Sequence, residues 1–156
     1  MSAGTAVARS GARRRADAVA RFEARDGDLW VATGAGDGSV HLVPLSYAWD
    51  GEHILIAVAV DSPTARNLQA SRRARLGFGP TRDVVLVEAE VTRSSPVRHP
   101  DAVAVGARYA AQADWDPREA SASYLFVLLR PVRIQAWREA NELAGRLLMR
   151  DGTWLT

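Results

Sequence analysis

The apolar positions of this chain fall mostly in short runs with a strand period, separated by turn residues, and only a few stretches follow a helical period. Leu29 to Thr33 is a short apolar strand, and the glycine-rich Gly34 to Gly38 that follows is a hairpin turn. A long strand from His41 to Trp49 meets Asp50-Gly51, a two-residue hairpin signal, and returns through Ile54 to Val60. Leu76 to Phe78 is strand-like, Val84 to Val91 alternates as a half-buried strand does, and Arg93 to Pro100 is a loop. Tyr124 to Leu129 is continuously apolar, Val132 to Trp137 alternates again, and Asp151-Gly152 marks a last hairpin.

Helical spacing appears in three places. Ala16, Val19, Ala20 and Phe22 define an amphipathic helix behind a loose tail of about ten residues. A second helix starts at Ser62, and an alanine-rich one spans Asp101 to Ala113. With strands joined by hairpins, these elements describe one mainly β domain over residues 11–156, a six-stranded antiparallel barrel with peripheral helices. Strands and helices do not alternate, which disfavours a doubly wound nucleotide fold.

Composition narrows the chemistry. The 156 residues contain no cysteine, so disulfides, thiolate metal sites and a cysteine nucleophile are excluded, and a cytoplasmic setting is expected. His41, His53 and His99 lack the spacing of a metal site, and no metal is expected. The isoelectric point near 9.6 contrasts with a formal charge of only +2. Every basic side chain is arginine, whose very high pKa lifts the isoelectric point without creating a nucleic-acid footprint. The Arg13 to Arg15 run is interleaved with acids and reads as the solvated face of the first helix. No apolar run is long enough for a signal peptide or a membrane span, so neither nucleic acid nor membrane is an expected partner.

One segment carries anion-binding chemistry. In DSPTARNL, Asp61 to Leu68, Ser62 is a good N-cap and Pro63 suits the first helical position. The unpaired first-turn amides and the helix dipole favour an anion, and Thr64 and Arg66 add a hydroxyl and a guanidinium within one turn. The same residues also describe an ordinary capped helix. The glycines of Gly34 to Gly38 do not form a phosphate loop.

The order of LWVATG, HLVPLSYAWDG, TARNL with RRARLGF, QADWDP and RDGTWL resembles the pyridoxamine 5'-phosphate oxidase-like family of FMN-binding split barrels, within it the flavin and deazaflavin (F420) oxidoreductases. The resemblance runs from about Leu29 to Trp154. It implies a homodimer with FMN or coenzyme F420 in the subunit interface, the ring lying against Val43, Pro44 and Leu45. It further implies a phosphate site within the segment from Ala57 to Asn67, with Ser62, Thr64 and Arg66 as ligands and Asn67 in support. Relatives often carry lysine where this chain has Thr64, and Arg66, Arg72 or Arg73 are the available substitutes.

Hydride chemistry then belongs to the cofactor, while the protein binds, orients and excludes water. The expected function is transfer of hydride to a small organic acceptor, with Tyr47, Trp49 and Tyr109 as pocket candidates, although aromatics at strand spacing more often pack into the core. Two other readings stay open: a carrier or sensor that binds the cofactor without turnover, and a pyridoxamine 5'-phosphate oxidase-type enzyme, for which Arg130 and Arg133 are the candidate substrate-phosphate residues.

Overall fold

The computed structural model describes residues 6–156. The chain runs α1 (Gly11–Phe22), β1 (Asp28–Gly34), β2 (Val40–Ser46), β3 (Ala48–Trp49), β4 (Ile54–Ala59), α2 (Pro63–Ser71), β5 (Arg73–Phe78), β6 (Val84–Pro96), α3 (Val103–Gln112), β7 (Tyr124–Trp137), β8 (Leu147–Arg150) and β9 (Thr153–Trp154). The strands form one antiparallel sheet in the order β2-β1-β5-β6-β7-β4-β3, with β8 on β7 and β9 on β8. This is the expected split barrel with peripheral helices, with nine strands in place of six. The body is the six strands of at least six residues, and β3, β8 and β9 are short additions.

Alternation places the larger core inside the barrel. Leu29, Val31, Leu76, Phe78, Val85, Val87 and Ile134 point inward from their strands. Ala18 and Phe22 of α1, and Ala65 and Leu68 of α2, pack against them. A smaller core lies between β4, β7 and α3, where Leu55, Ala57, Phe126 and Leu128 meet Ala102, Tyr109 and Ala113. β4 reads as an unbroken apolar run because Ile54, Ile56 and Val58 face one core and Leu55 and Ala57 the other.

Several boundaries differ from the sequence reading. The strand expected from His41 to Trp49 is divided at Tyr47, whose ring turns into the core. The turn at Asp50-Gly51 spans four residues, since Trp49 pairs with Ile54 and the Asp50 carboxylate accepts the amide of Glu52 at 2.8 Å. Tyr124 to Trp137 is one strand across Pro131 rather than two. A bulge beside Pro131 skips Val132, whose carbonyl accepts Gly152 N–H at 2.9 Å instead. β6 continues to Pro96, into the segment read as a loop.

The expected tail spans residues 1–10. Residues 1–5 of it lie outside the described residues. Arg9, by contrast, is held against a 3-10 turn at Ala140–Glu142, and Asn141 Nδ2 donates to the Ala6 carbonyl at 2.6 Å.

Candidate functional site

Helix α2 begins as its sequence requires. Ser62 is in an extended conformation, and its Oγ accepts the Ala65 amide at 3.1 Å while donating to the Ala59 carbonyl at 2.7 Å. Both interactions occupy the hydroxyl within the cap. Pro63 has no N–H, and the Thr64 amide has no acceptor among the described residues, so one helix donor is available at this end. The Thr64 side chain is buried, at 3% exposure, and presents little surface to a ligand.

Arg66 is exposed, and its Nη1 donates to the Asp61 carbonyl at 2.6 Å, which holds the guanidinium over the first turn with its remaining N–H groups unused. Asn67 Nδ2 donates to Thr33 Oγ1 on β1 at 3.1 Å. Thr33 is itself paired with His41 of β2. The first turn of α2 is thereby tied, through one hydrogen bond and one strand pair, to the strand expected to carry the ring.

β2 has a strand neighbour on one side only. Val43 and Leu45 are partly buried against the barrel core, and Pro44 stands on the opposite, outer face, paired with Trp30. His41 and Pro44 are three residues apart, about 10 Å of extended strand. The donors present, the Thr64 amide and the Arg66 guanidinium, fit a single phosphate group.

Other sequence expectations fall elsewhere. Ala57 is buried in the smaller core at 3% exposure, under the sheet rather than at α2's first turn. Arg72 and Arg73 follow α2 at its far end, about 13 Å from its first turn. Arg72 Nη2 donates to the Val91 carbonyl at 2.9 Å, and Arg73 lies on β5, so neither stands in for the missing lysine.

Tyr47 and Tyr109 are core aromatics. Tyr47 donates its hydroxyl to the Arg21 carbonyl and packs edge-on against Phe78, with ring centroids 5.1 Å apart. Burial raises its pKa. Tyr109 is sealed between Trp115 and Phe126, and burial pushes its hydroxyl far above the ordinary value. Neither offers a surface within this chain on which a small molecule could rest. Trp49 is partly buried and packs on Phe22 with centroids 5.1 Å apart.

The sequence reading passed over the outer face of β1, β2, β5 and β6. Trp30 and Leu42 are 51% and 58% exposed there, on positions facing away from the barrel core. Alternation does encode this, because both occupy the phase opposite to Leu29, Val31 and Val43. Apolar residues on both phases conceal it.

Among solved structures, the fold is similar to an F420 reductase, at 19% identity and TM-score 0.58, covering 74% of this chain and 93% of that one. It is also similar to a heme-binding protein from Mycobacterium smegmatis, at 17% identity and TM-score 0.64, covering 94% of this chain but only 60% of the other. A third likeness is to a pyridoxamine 5'-phosphate oxidase-related, FMN-binding protein from Nostoc punctiforme, at 17% identity and TM-score 0.52, covering 81% and 78% of the two chains. At these identities the likeness is one of fold. No protein of curated function matches the sequence. The family model described as pyridoxamine 5'-phosphate oxidase matches residues 16–138, which takes in the second half of α1, the first seven strands and α2 and α3. On that match the chain belongs to the pyridoxamine 5'-phosphate oxidase family.

Proposed function

We propose that this protein is an oxidoreductase that binds a flavin-type cofactor, coenzyme F420 or FMN, and passes hydride to a small organic acceptor. The observation that carries the reading is the junction of α2 with β1 and β2: an unpaired Thr64 amide and an exposed Arg66 lie one strand from an edge strand whose Pro44 faces outward. The phosphate would be held by that amide and by Arg66, with Asn67 fixing the helix to Thr33. The bound ring supplies the redox chemistry, which accords with a site that has no catalytic triad. The sheet's role is to orient the ring along β2 and exclude water from one side of it.

The homodimer belongs to the same reading. A second copy covering part of the outer sheet face would close the open side of β2. The cofactor names attached to the F420 reductase and the FMN-binding relative support the choice of ring system, and the residues favour neither one.

The test is to titrate the purified protein separately with FMN and with F420, following fluorescence quenching, then reoxidation by candidate acceptors, with light scattering for the assembly. Binding of either with turnover supports the reading. Binding without turnover supports a carrier, and failure to bind both removes cofactor and enzyme together.

A further inference from the structure

Helix α2 leaves a cavity of about 90 Å³ on the core side of β6 and β7. Leu68 of the helix and Val91, Leu125 and Val127 of the strands give it an apolar floor. Two small side chains open the space. A bulge in β6 skips Thr92, so Ser94 rather than Arg93 stands opposite Val127 on the core face. On the helix side Ala65 offers only a methyl group, and the two together leave the gap between α2 and the sheet unfilled.

The rim is polar and carries one charge. Arg72 ends α2 in the left-handed conformation, with φ of +57°, and its Nη2 donates to the Val91 carbonyl at 2.9 Å. Its Nε and Nη1 have no acceptor among the described residues, and the Gln69 and Ser94 side chains on the same rim make no hydrogen bond among them. No aspartate or glutamate lines the cavity to cancel the guanidinium. The negative end of α2 lies nearby but holds only about half a charge, against a full one on Arg72. Two of the helix's last carbonyls already accept the Arg72 amide and the Ser71 hydroxyl.

We propose that this cavity binds a short-chain monocarboxylate, with its alkyl tail on Leu68, Val91 and Val127 and its carboxylate at Arg72. Gln69 and Ser94 complete the polar rim. An apolar cavity of about 150 Å³ holds benzene, so this one takes about three or four carbons, the tail of butyrate. Arg72 is about 13 Å from the first turn of α2, and the cavity is on the opposite side of the sheet from the face assigned to a second copy. The site therefore stands or falls separately from the hydride-transfer reading.

The probes are butyrate, its neutral isostere butyramide, acetate and octanoate, each titrated into the full chain and followed by methyl NMR. Butyrate should give saturable shifts at Leu68, Val91, Leu125 and Val127, and bind about tenfold more tightly than acetate or butyramide. Octanoate should bind no more tightly than butyrate, because the cavity is already full. Arg72→Gln should bring butyrate down to the level of butyramide. Ser94→Leu should fill the cavity and abolish binding with the melting temperature held or raised, an outcome that a misfolded variant cannot produce. Equal binding of butyrate and butyramide overturns the proposal, as do an affinity that keeps rising to octanoate and a Ser94 variant that binds as the parent does. Absence of saturable shifts at those four residues overturns it as well.

Discussion

Arg9 and Glu142 are 133 positions apart and bound by three hydrogen bonds: the Arg9 amide and Nε donate to Glu142 Oε1 at 2.9 Å each, and Nη2 donates to Oε2 at 2.8 Å. Around the pair, Asp17 bonds Arg9 and Arg13, while Asp83 is shared by Arg21 and Arg138. This network fastens Arg9 and α1 to the segment beyond the end of β7.

Glu142→Ala should cost on the order of 3 kcal/mol, because it leaves Arg9, only 10% exposed, without its main counter-charge. Urea denaturation of the parent and the variant measures it. A loss below about 0.5 kcal/mol, the range of an exposed pair, would show the network to be dispensable.

The same carboxylate sets an acid limit. Hydrogen bonding from Arg9 holds the Glu142 pKa down to about 2, against an ordinary 4.5. A depressed carboxylate stabilises the fold above its unfolded pKa and loses that contribution as pH falls toward its folded one. Thermal stability should therefore decline between about pH 4.5 and 2, and Glu142→Gln should flatten that decline relative to the parent.

Gly79 tests the other end of the network. Its φ is +77°, and an added Cβ would overlap the Arg21 guanidinium and lie 3.0 Å from the Asp83 carbonyl. Gly79→Ala should destabilise by about 2 kcal/mol, combining left-handed strain with loss of the Arg21–Asp83 pair at 3.1 Å. A midpoint unchanged in denaturant would mean that the turn re-forms around the new side chain.

For the proposed phosphate contact, Arg66→Ala should weaken cofactor binding by about 1.5 to 3 kcal/mol with stability unchanged, since the side chain is exposed. Isothermal titration with whichever ring binds gives the number. Unchanged affinity would take Arg66 out of the site.

Tyr47→Phe separates core from pocket. It deletes a hydroxyl bonded to the Arg21 carbonyl and should lower stability by about 1 kcal/mol while leaving turnover and cofactor affinity alone. A change in KM at constant stability would return Tyr47 to the substrate side.

Much of the fold was legible because it depends on local rules. The period of two in β1 and β6, the Ser62 cap and the Asp151-Gly152 turn, with φ of +50° and +76°, each follow from a few neighbouring residues. The capped start of α2 was legible for the same reason, and so was the arginine within its first turn.

What tertiary structure decided was which side of each element meets a neighbour. Ala57, Thr64, Tyr47 and Tyr109 have side-chain chemistry or positions suited to a site, but packing turned all four inward. Arg73 and Arg130 are 57 residues apart and share a groove only because β5 and β7 both pair with β6. The tail from Ala6 to Ser10 has no pattern of its own, and a buried Glu142 holds it from the far end of the chain. The residue pattern by itself determined a mainly β barrel, its turns and a capped helix with an anion-favouring end, because propensity and alternation act over a few residues. The covered and uncovered faces, and the groove left between them, were decided by contacts between segments distant in sequence, which no local period records.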